Sequence, residues 1–303
     1  MSDLSVGVEA LRRPIMPLIR YIIDKYLPPR PFEPAQLAEM PDEMEVDELI
    51  YTNVAEKLAD YLEPLTRFYG PNADAARTCG RIVVDHHLSP IKPDLVWPYI
   101  FHQDVIRIEL EKINTILCGQ AGCVDCCVGP TDENNALFFE LPLAEDEIDR
   151  FALPRVDSPA TRGTSAMAET SLEFDGEPFY LRPAALYRWQ DHWSLILPKK
   201  GPCPNLDSRV GLCRVYMHRP LVCRLPQIFP LVTEQVYDPE FVRTQAAAQS
   251  IPLDSLTDTD HVLIIQKGIL GILDCPYVRK YSEEIYNYAL KNGLDPLFRW
   301  DKK

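Results

Sequence analysis

Four cysteines lie within ten residues of this chain, in the segment CGQAGCVDCC that runs from Cys118 to Cys127. Three more follow at intervals of ten residues, at Cys203, Cys213 and Cys223. Crowded thiols oxidise unless they are paired in disulfides or bound to a metal, so these seven residues need one of those two explanations. A chain with this pattern is expected to bring two distant segments together around its sulfur atoms.

The cysteine usage favours a metal over disulfides. Nine cysteines in 303 residues are far below the density of a small disulfide scaffold, and an odd count leaves at least one thiol unpaired. The start MSDLSVGVEALRRP lacks the pattern of a secretory signal, and the most apolar run, HVLIIQKGILGIL, is too short to span a membrane. We therefore expect a cytoplasmic protein without a membrane partner, and in that compartment clustered cysteines more often bind metal.

The charge balance excludes one class of partner. The formal net charge is −14, whereas nucleic-acid binding favours a basic surface. We therefore expect no nucleic-acid partner, while a metal ion or cluster and a protein remain candidate partners.

Apolar periodicity predicts a mostly α fold with an embedded irregular α+β cysteine-rich metal-binding domain. Helices are predicted over 1–28, 42–68, 70–87, 102–117, 239–249 and 278–291, and a short acidic helix over 144–151. Strands are predicted over 136–143 and in the runs EPFYLRP and HWSLILP. The predicted division is an N-terminal helical region 1–116, a cysteine-cluster domain 117–232 and a C-terminal helical region 233–303.

The cysteines have the chemistry and spacing of metal ligands. Thiolates are soft donors that suit zinc and iron–sulfur clusters, and four of them complete a tetrahedral zinc site or attach a [4Fe–4S] cluster. A short loop such as CVDC can present two sulfurs to one centre. The predicted metal ligands are Cys118, Cys123, Cys126, Cys127, Cys203, Cys213 and Cys223.

Basic residues flank the later cysteines. Arg214, Arg219 and Arg224 lie beside Cys213 and Cys223, and guanidinium groups can offset the negative charge of metal-bound thiolates while donating hydrogen bonds to sulfur. We expect four residues to surround the centre without being its main ligands, namely Tyr216, His218, Arg219 and Arg224.

Other polar and sulfur residues have simpler interpretations. Cys79 and Cys275 are isolated in apolar stretches and are interpreted as buried structural thiols. Asp85, His86 and His87 end a predicted helix without a matching cluster nearby, so solvated or capping roles are favoured. No phosphate-binding loop, nucleophile elbow or HExxH motif is present.

The cysteine pattern resembles that of the YkgJ-type cysteine-cluster family, whose members are described as zinc- or iron-chelating. The family pattern is a CxxCxxCC block, a strand and an acidic helix, then CxxL, CxxYxxRPxxCR and a proline. The segments CVDCC, FFELPLAEDEIDRF, CPNLD and LCRVYMHRPLVCRLPQ match it in order, over about residues 117–230. Cys118 departs from the pattern because it stands five residues before Cys123 instead of three.

The resemblance implies a zinc or iron–sulfur centre, possible redox or metal-handling roles, and no assigned reaction. We rank [4Fe–4S] ahead of zinc because seven cysteines exceed the four that one zinc needs. One alternative is an S-adenosylmethionine-dependent protein lysine methylase-like enzyme, since the resemblance extends to flagellin lysine N-methylases, although no GxGxxG fingerprint is present. Another alternative is a zinc-stabilised interaction protein, so whether the chain is an enzyme stays open at this point.

Overall fold

A computed structural model describes residues 4–27, 30–74, 82–120, 124–130, 136–164, 166, 170–190, 192–207, 209, 211–224, 227–252, 261–273 and 275–299. The structure is 45% helical and 23% strand and contains several sheets, which makes it an α+β mixture. The prediction of a mostly α fold is therefore wrong. Its errors fall in two places, an N-terminal hairpin and a C-terminal sheet.

The N-terminal helix predicted over 1–28 is two helices. Helix α1 spans Leu4–Arg12 and α2 spans Ile15–Lys25. Pro14, between them, has an extended backbone at φ −61° and ψ 147°, which ends the first helix and allows the second to begin. Both helices pack against the main hydrophobic core.

The predicted helix over 42–68 begins instead with a β-hairpin. Strands β1 (Glu43–Val46) and β2 (Leu49–Thr52) pair antiparallel, and Asp47 and Glu48 both have positive φ in the two-residue turn between them. Exposed and buried residues alternate along β1, which is the period of a strand. Two short helices follow, α3 (Val54–Ala59) and α4 (Leu62–Tyr69), and Pro64 lies in the first turn of α4.

One long helix forms the spine of the molecule. Helix α5 spans Pro93–Gln120, so it contains the predicted helix 102–117 and extends it at both ends. Most of its apolar face is buried, since Ile106, Leu110, Ile113 and Leu117 each have 1% exposure or less, whereas Ile108 is half-buried. The C-terminal end of α5 carries Cys118.

The largest departure from the predicted helical pattern is a mixed four-stranded sheet. Strands β12 (Ile228–Val236) and β13 (His261–Ile272) pair antiparallel, and two strands pair parallel with β13, namely β3 (Val83–Asp85) and β14 (Asp295–Arg299). The end of the helix predicted over 70–87 is thus a strand, while residues 75–81 lie outside the described part of the chain. The apolar run HVLIIQKGILGI forms β13 because both of its faces are covered.

A second sheet occupies the middle of the chain. Its strand order is β4 (Phe138–Leu143), β9 (Trp193–Pro198), β8 (Ala185–Arg188) and β5 (Arg155–Val156). The predicted strands at 136–143 and HWSLILP are confirmed as β4 and β9, and the predicted acidic helix is a 3-10 helix, Glu145–Arg150. The strand prediction for EPFYLRP is wrong beyond Glu177–Pro178, because Phe179–Leu181 form a 3-10 helix. Between β5 and β8 lie a one-turn helix, α6 (Pro159–Arg162), and the small β-hairpin β6–β7 (Glu173–Phe174 and Glu177–Pro178).

A short hairpin and several helices also follow β9 in the chain. Strands β10 (Leu206–Asp207) and β11 (Leu212–Cys213) form a hairpin, followed by the one-turn helix α7 (Leu221–Arg224). Helix α8 spans Pro239–Ala248, and the predicted helix 278–291 is two helices, α9 (Pro276–Lys280) and α10 (Ser282–Lys291). The division of the chain at 116/117 and 232/233 stays a prediction.

Candidate metal centre

The first cysteine segment and the segment after β9 are held together through their backbones. The Cys203 N–H donates to the Cys127 carbonyl at 2.6 Å, and the Lys200 N–H donates to the Pro130 carbonyl at 2.9 Å. Gly129 makes this approach possible, because it has φ +71° and a Cβ there would lie 2.3 Å from the Pro198 oxygen. The sequence CCVGP therefore places Cys127 beside Cys203.

The β10–β11 hairpin joins Cys203 to Cys213. Leu206 pairs with Cys213 in the ladder, and the Leu206 N–H donates to the Cys203 carbonyl at 2.9 Å. Gly211 supplies the positive φ of +67° that the turn requires. A ten-residue separation in sequence thus becomes a short distance in space.

The segment after Cys213 is bonded to the last turns of α5. The Tyr216 hydroxyl donates to the Thr115 carbonyl at 2.7 Å, and Arg219 Nη2 donates to Thr115 Oγ1 at 2.7 Å. Arg224 forms an ion pair with Glu111 on the same helix. Three of the four residues predicted to surround the centre therefore anchor the Cys213–Cys223 segment to α5.

A buried carboxylate holds the same segment through a second set of contacts. Glu147, 4% exposed, accepts from the Leu221 N–H at 2.8 Å and from Arg150 at 3.2 Å through Oε1. Arg150 also donates to the His218 carbonyl at 3.2 Å. The acidic 3-10 helix after β4 therefore clamps the turn that leads into α7 and Cys223.

These contacts bring the described cysteines to one cavity of about 100 Å³. Its lining is mostly apolar and includes side chains such as Leu141, Phe151 and Val222. Cys123 lies outside the described residues. The other six predicted ligands all line the cavity: Cys118, Cys126, Cys127, Cys203, Cys213 and Cys223. Their role as ligands stays a prediction.

Two further placements were not evident from the sequence. His218 is exposed and is absent from the described lining, so the structure brings its carbonyl into the supporting network but not its ring into the cavity. Cys275, which was interpreted as a structural thiol, lines the cavity together with Tyr277. No motif surrounds Cys275 in the sequence, so only the fold reveals this position.

The apolar lining keeps buried thiols protonated. Burial, together with the neighbouring Cys127, Cys203 and Cys213, raises the pKa of Cys223 from 9.0 to about 12, against a smaller lowering by Arg219. Burial likewise raises the pKa of Cys118 and of Cys203. Without a metal, these three thiols are neutral near pH 7 and carry no compensating charge.

Arg219 places a positive charge beside those neutral thiols. The residue is 6% exposed, its guanidinium lies 4.1 Å from the centre of the Tyr216 ring, and its hydrogen bonds go to the Tyr216 carbonyl and Thr115 Oγ1. Among the described residues, no carboxylate forms an ion pair with Arg219. A buried charge without a counter-charge is costly, so this arrangement favours negative charge inside the cavity.

One buried amide donor in the lining points to the same conclusion. Within the described part of the chain, Asn205 Nδ2 has no hydrogen-bond partner, whereas the unpartnered Oε1 of Gln227 is an acceptor that a thiolate would not satisfy. The other amide atom of Gln227, Nε2, donates to Cys126 Sγ at 3.0 Å. A metal-bound thiolate is a stronger acceptor than a thiol, and it would give donors such as Asn205 Nδ2 a partner.

The donor set therefore fits a thiophilic metal centre, although the thiols are not preassembled around one point. Among the described residues, no three His, Cys, Asp or Glu side chains are grouped closely enough to hold an ion. The described part of the chain also contains no helix long and apolar enough to cross a membrane.

The family comparison agrees with this donor chemistry. A family model described as "CxxCxxCC: Putative zinc- or iron-chelating domain" matches residues 117–246. The match covers less than half of the chain, so it shows a similarity of this segment to that family. The match begins in the last turn of α5 and ends in α8, so it includes the six described cysteines that were predicted as ligands but excludes Cys275. Searches of curated proteins and of solved structures found no match to the chain.

Proposed function

We propose that this chain is a metal-binding protein whose CxxCxxCC segment holds an iron–sulfur cluster, with zinc as the second candidate. The observation that carries the proposal is the buried Arg219 beside thiols that are neutral without metal. Four thiolates around a divalent ion leave two net negative charges, and a tetrathiolate [4Fe–4S] cluster is also anionic. Either centre would supply the counter-charge that Arg219 lacks.

The proposed ligands come from the two segments that meet at the cavity. Cys126 and Cys127 lie on the first segment, while Cys203, Cys213 and Cys223 lie on the second. Cys123 and Cys118 remain predicted ligands on the same sequence motif and on the end of α5. Each thiol that binds metal loses its proton to solvent as its sulfur–metal bond forms.

The preference for iron–sulfur rests on the number of thiols and on their surroundings. Five motif cysteines and Cys118 share the cavity, more than a single zinc can use. The apolar lining would shield a cluster from water, and solvent exposure is one of the factors that set the reduction potential of a cluster. An iron–sulfur cluster would supply one-electron chemistry, whereas a zinc ion would supply structure.

The first test is metal analysis of anaerobically prepared protein. A brown preparation with iron and sulfide in a fixed ratio to protein is expected, and stoichiometric zinc in a colourless preparation would replace the cluster assignment with zinc. Cys223→Ser and Cys126→Ser are each expected to lower the retained metal. Full retention of metal by both variants, or a wild-type chain that retains none, would contradict the proposed function.

A second test addresses the charge argument directly. Arg219→Met removes the guanidinium charge, and Arg219→Lys retains a positive charge at the position. We expect the methionine variant to lose affinity for metal by about 10- to 100-fold, as other changes to supporting residues do, and the lysine variant to lose less. Equal affinities for the methionine and lysine variants would show that Arg219 acts only by holding the loop to Thr115.

A further inference from the structure

We propose that Cys275, which lies outside the CxxCxxCC segment, supplies an additional sulfur ligand to the metal centre. This inference rests on the proposed function, since it extends the same site. It makes the C-terminal part of the chain one wall of the centre, instead of leaving the centre entirely to the matched segment.

Cys275 is positioned by the junction between β13 and α9. Its N–H donates to the Ile272 carbonyl at 3.1 Å, and its own carbonyl accepts from the Arg279 N–H at 3.2 Å. The residue stands at the N-cap position of α9 with a side chain that makes no capping hydrogen bond. It is 7% exposed and lines the cavity that contains the six other thiols.

The neighbouring Tyr277 ties this junction to the supporting network. Its hydroxyl donates to Asn114 Oδ1 at 2.5 Å, and Asn114 Nδ2 donates to the Ile228 carbonyl at 2.8 Å. Thr115, the next residue along α5, receives the hydrogen bonds from Tyr216 and Arg219. The same turn of α5 therefore aligns Cys275 on one side and the Cys213–Cys223 segment on the other.

A buried cysteine is commonly no more than a small apolar side chain, so the position of Cys275 needs a second observation. That observation is the buried positive charge of Arg219, which lines the same cavity and has no carboxylate partner among the described residues. Each thiol in the cavity that becomes a metal-bound thiolate adds negative charge, which compensates the positive charge of Arg219. Cys275 binds by releasing its proton to solvent as its sulfur–metal bond forms, as the motif cysteines do.

The test compares Cys275→Ser and Cys275→Ala with the wild type, using whichever metal or cluster the wild-type chain retains. Affinity is measured by competition with a chelator, and the sulfur-to-metal charge-transfer absorption is recorded per bound metal. We expect both variants to lose about tenfold or more in affinity, together with part of that absorption. Val278→Ala is the control, because Val278 is a fully buried neighbour without sulfur and its truncation loosens the same segment.

Hydrogen exchange of the segment 276–281 gives a second measurement. If the thiol of Cys275 only filled space, its removal would not alter the effect of metal on exchange in this segment. Metal loading is expected to slow exchange there in the wild type and in Val278→Ala, but not in Cys275→Ala. If both Cys275 variants bind metal with wild-type affinity and absorption while Cys223→Ser does not, the inference is wrong and the proposed function stands. A wild-type chain without metal affinity would overturn both.

Discussion

Replacing Glu109 by Gln is expected to change how the stability of this protein depends on pH. Glu109 lies on α5 with 5% exposure, and it accepts hydrogen bonds from the Ile15 N–H at 2.8 Å and from the Tyr288 hydroxyl at 2.7 Å. Burial raises the pKa of Glu109 from 4.5 to about 7. The folded protein therefore holds a proton there that the unfolded chain releases above its own pKa.

The sign and size of the effect follow from this difference in pKa. The folded state binds more protons than the unfolded state between pH 4.5 and about 7. The contribution of Glu109 to the free energy of unfolding is therefore complete below pH 4.5 and is lost as pH rises through about 7. The interval between the two pKa values corresponds to about 3 kcal/mol of unfolding free energy. Glutamine resembles the protonated acid, so Glu109→Gln should match the wild type at low pH and exceed its stability by about 3 kcal/mol at about pH 8.

His102, on the same helix, has the opposite effect on the wild-type profile. Burial lowers the pKa of His102 from 6.5 to about 4, so its contribution is complete above 6.5 and is lost as pH falls through 4. Between about pH 4.5 and 6.5, the contributions of Glu109 and His102 to the free energy of unfolding change in opposite directions. Glu109→Gln removes one of them, and the stability of the variant should then rise with pH over that interval.

The assay is urea unfolding followed by circular dichroism, with the unfolding free energies of variant and wild type compared at each pH. Glu56→Gln is the control, because Glu56 is exposed on α3 and should give a difference close to zero at every pH. A difference between Glu109→Gln and the wild type that does not change with pH would refute the reasoning.

Three further predictions concern the network that assembles the cysteine cavity. Gly129→Ala should destabilise the fold by about 2 kcal/mol or more, because its Cβ would lie 2.3 Å from a backbone oxygen, whereas Gly176→Ala, with φ +80° but open space, should cost about 1 kcal/mol in thermal or urea unfolding. Glu147→Ala should lower the unfolding free energy by about 2–4 kcal/mol because buried donors lose their acceptor, while Asp146→Ala, whose side chain is 78% exposed, should change it little. Tyr216→Phe should cost about 1 kcal/mol of stability, and metal titration should show a weaker affinity because the cysteine segment loses one hydrogen bond to α5. Wild-type unfolding curves for Gly129→Ala and Glu147→Ala, or unchanged unfolding and metal titration for Tyr216→Phe, would contradict the corresponding argument.

The cysteine spacing predicted the centre of the fold better than its periphery. The matched segment required Cys127, Cys203 and Cys223 to converge, and the structure brings them to one cavity by local devices that the sequence encodes, such as Gly129 and the β10–β11 turn. The strand β4 and the acidic helix after it were also visible in the pattern.

Other parts could not be predicted because short apolar patterns are ambiguous. In 42–68 the apolar residues from Leu49 onward have a helical spacing, whereas Met44 and Val46 alternate with acidic residues along β1, and the turn at Asp47 and Glu48 separates the two patterns. The run that forms β13 lacks any periodicity because, apart from the exposed Lys267, residues on both of its faces pack into hydrophobic clusters. Cys275 carries no local signal, since its place beside the other thiols depends on the sheet and α9.

The length of α5 is constrained in its second half. Glu109 contacts Ile15 and Tyr288 in the main core, and Glu111, Asn114 and Thr115 receive bonds from the segments that form the cysteine cavity. Each residue in an α-helix advances the rotation by about 100°. Inserting or deleting one residue between Glu109 and Thr115 would rotate these two residues by about 100° relative to each other, so that both could not keep their partners. We therefore expect this stretch to tolerate substitution far better than any change in length.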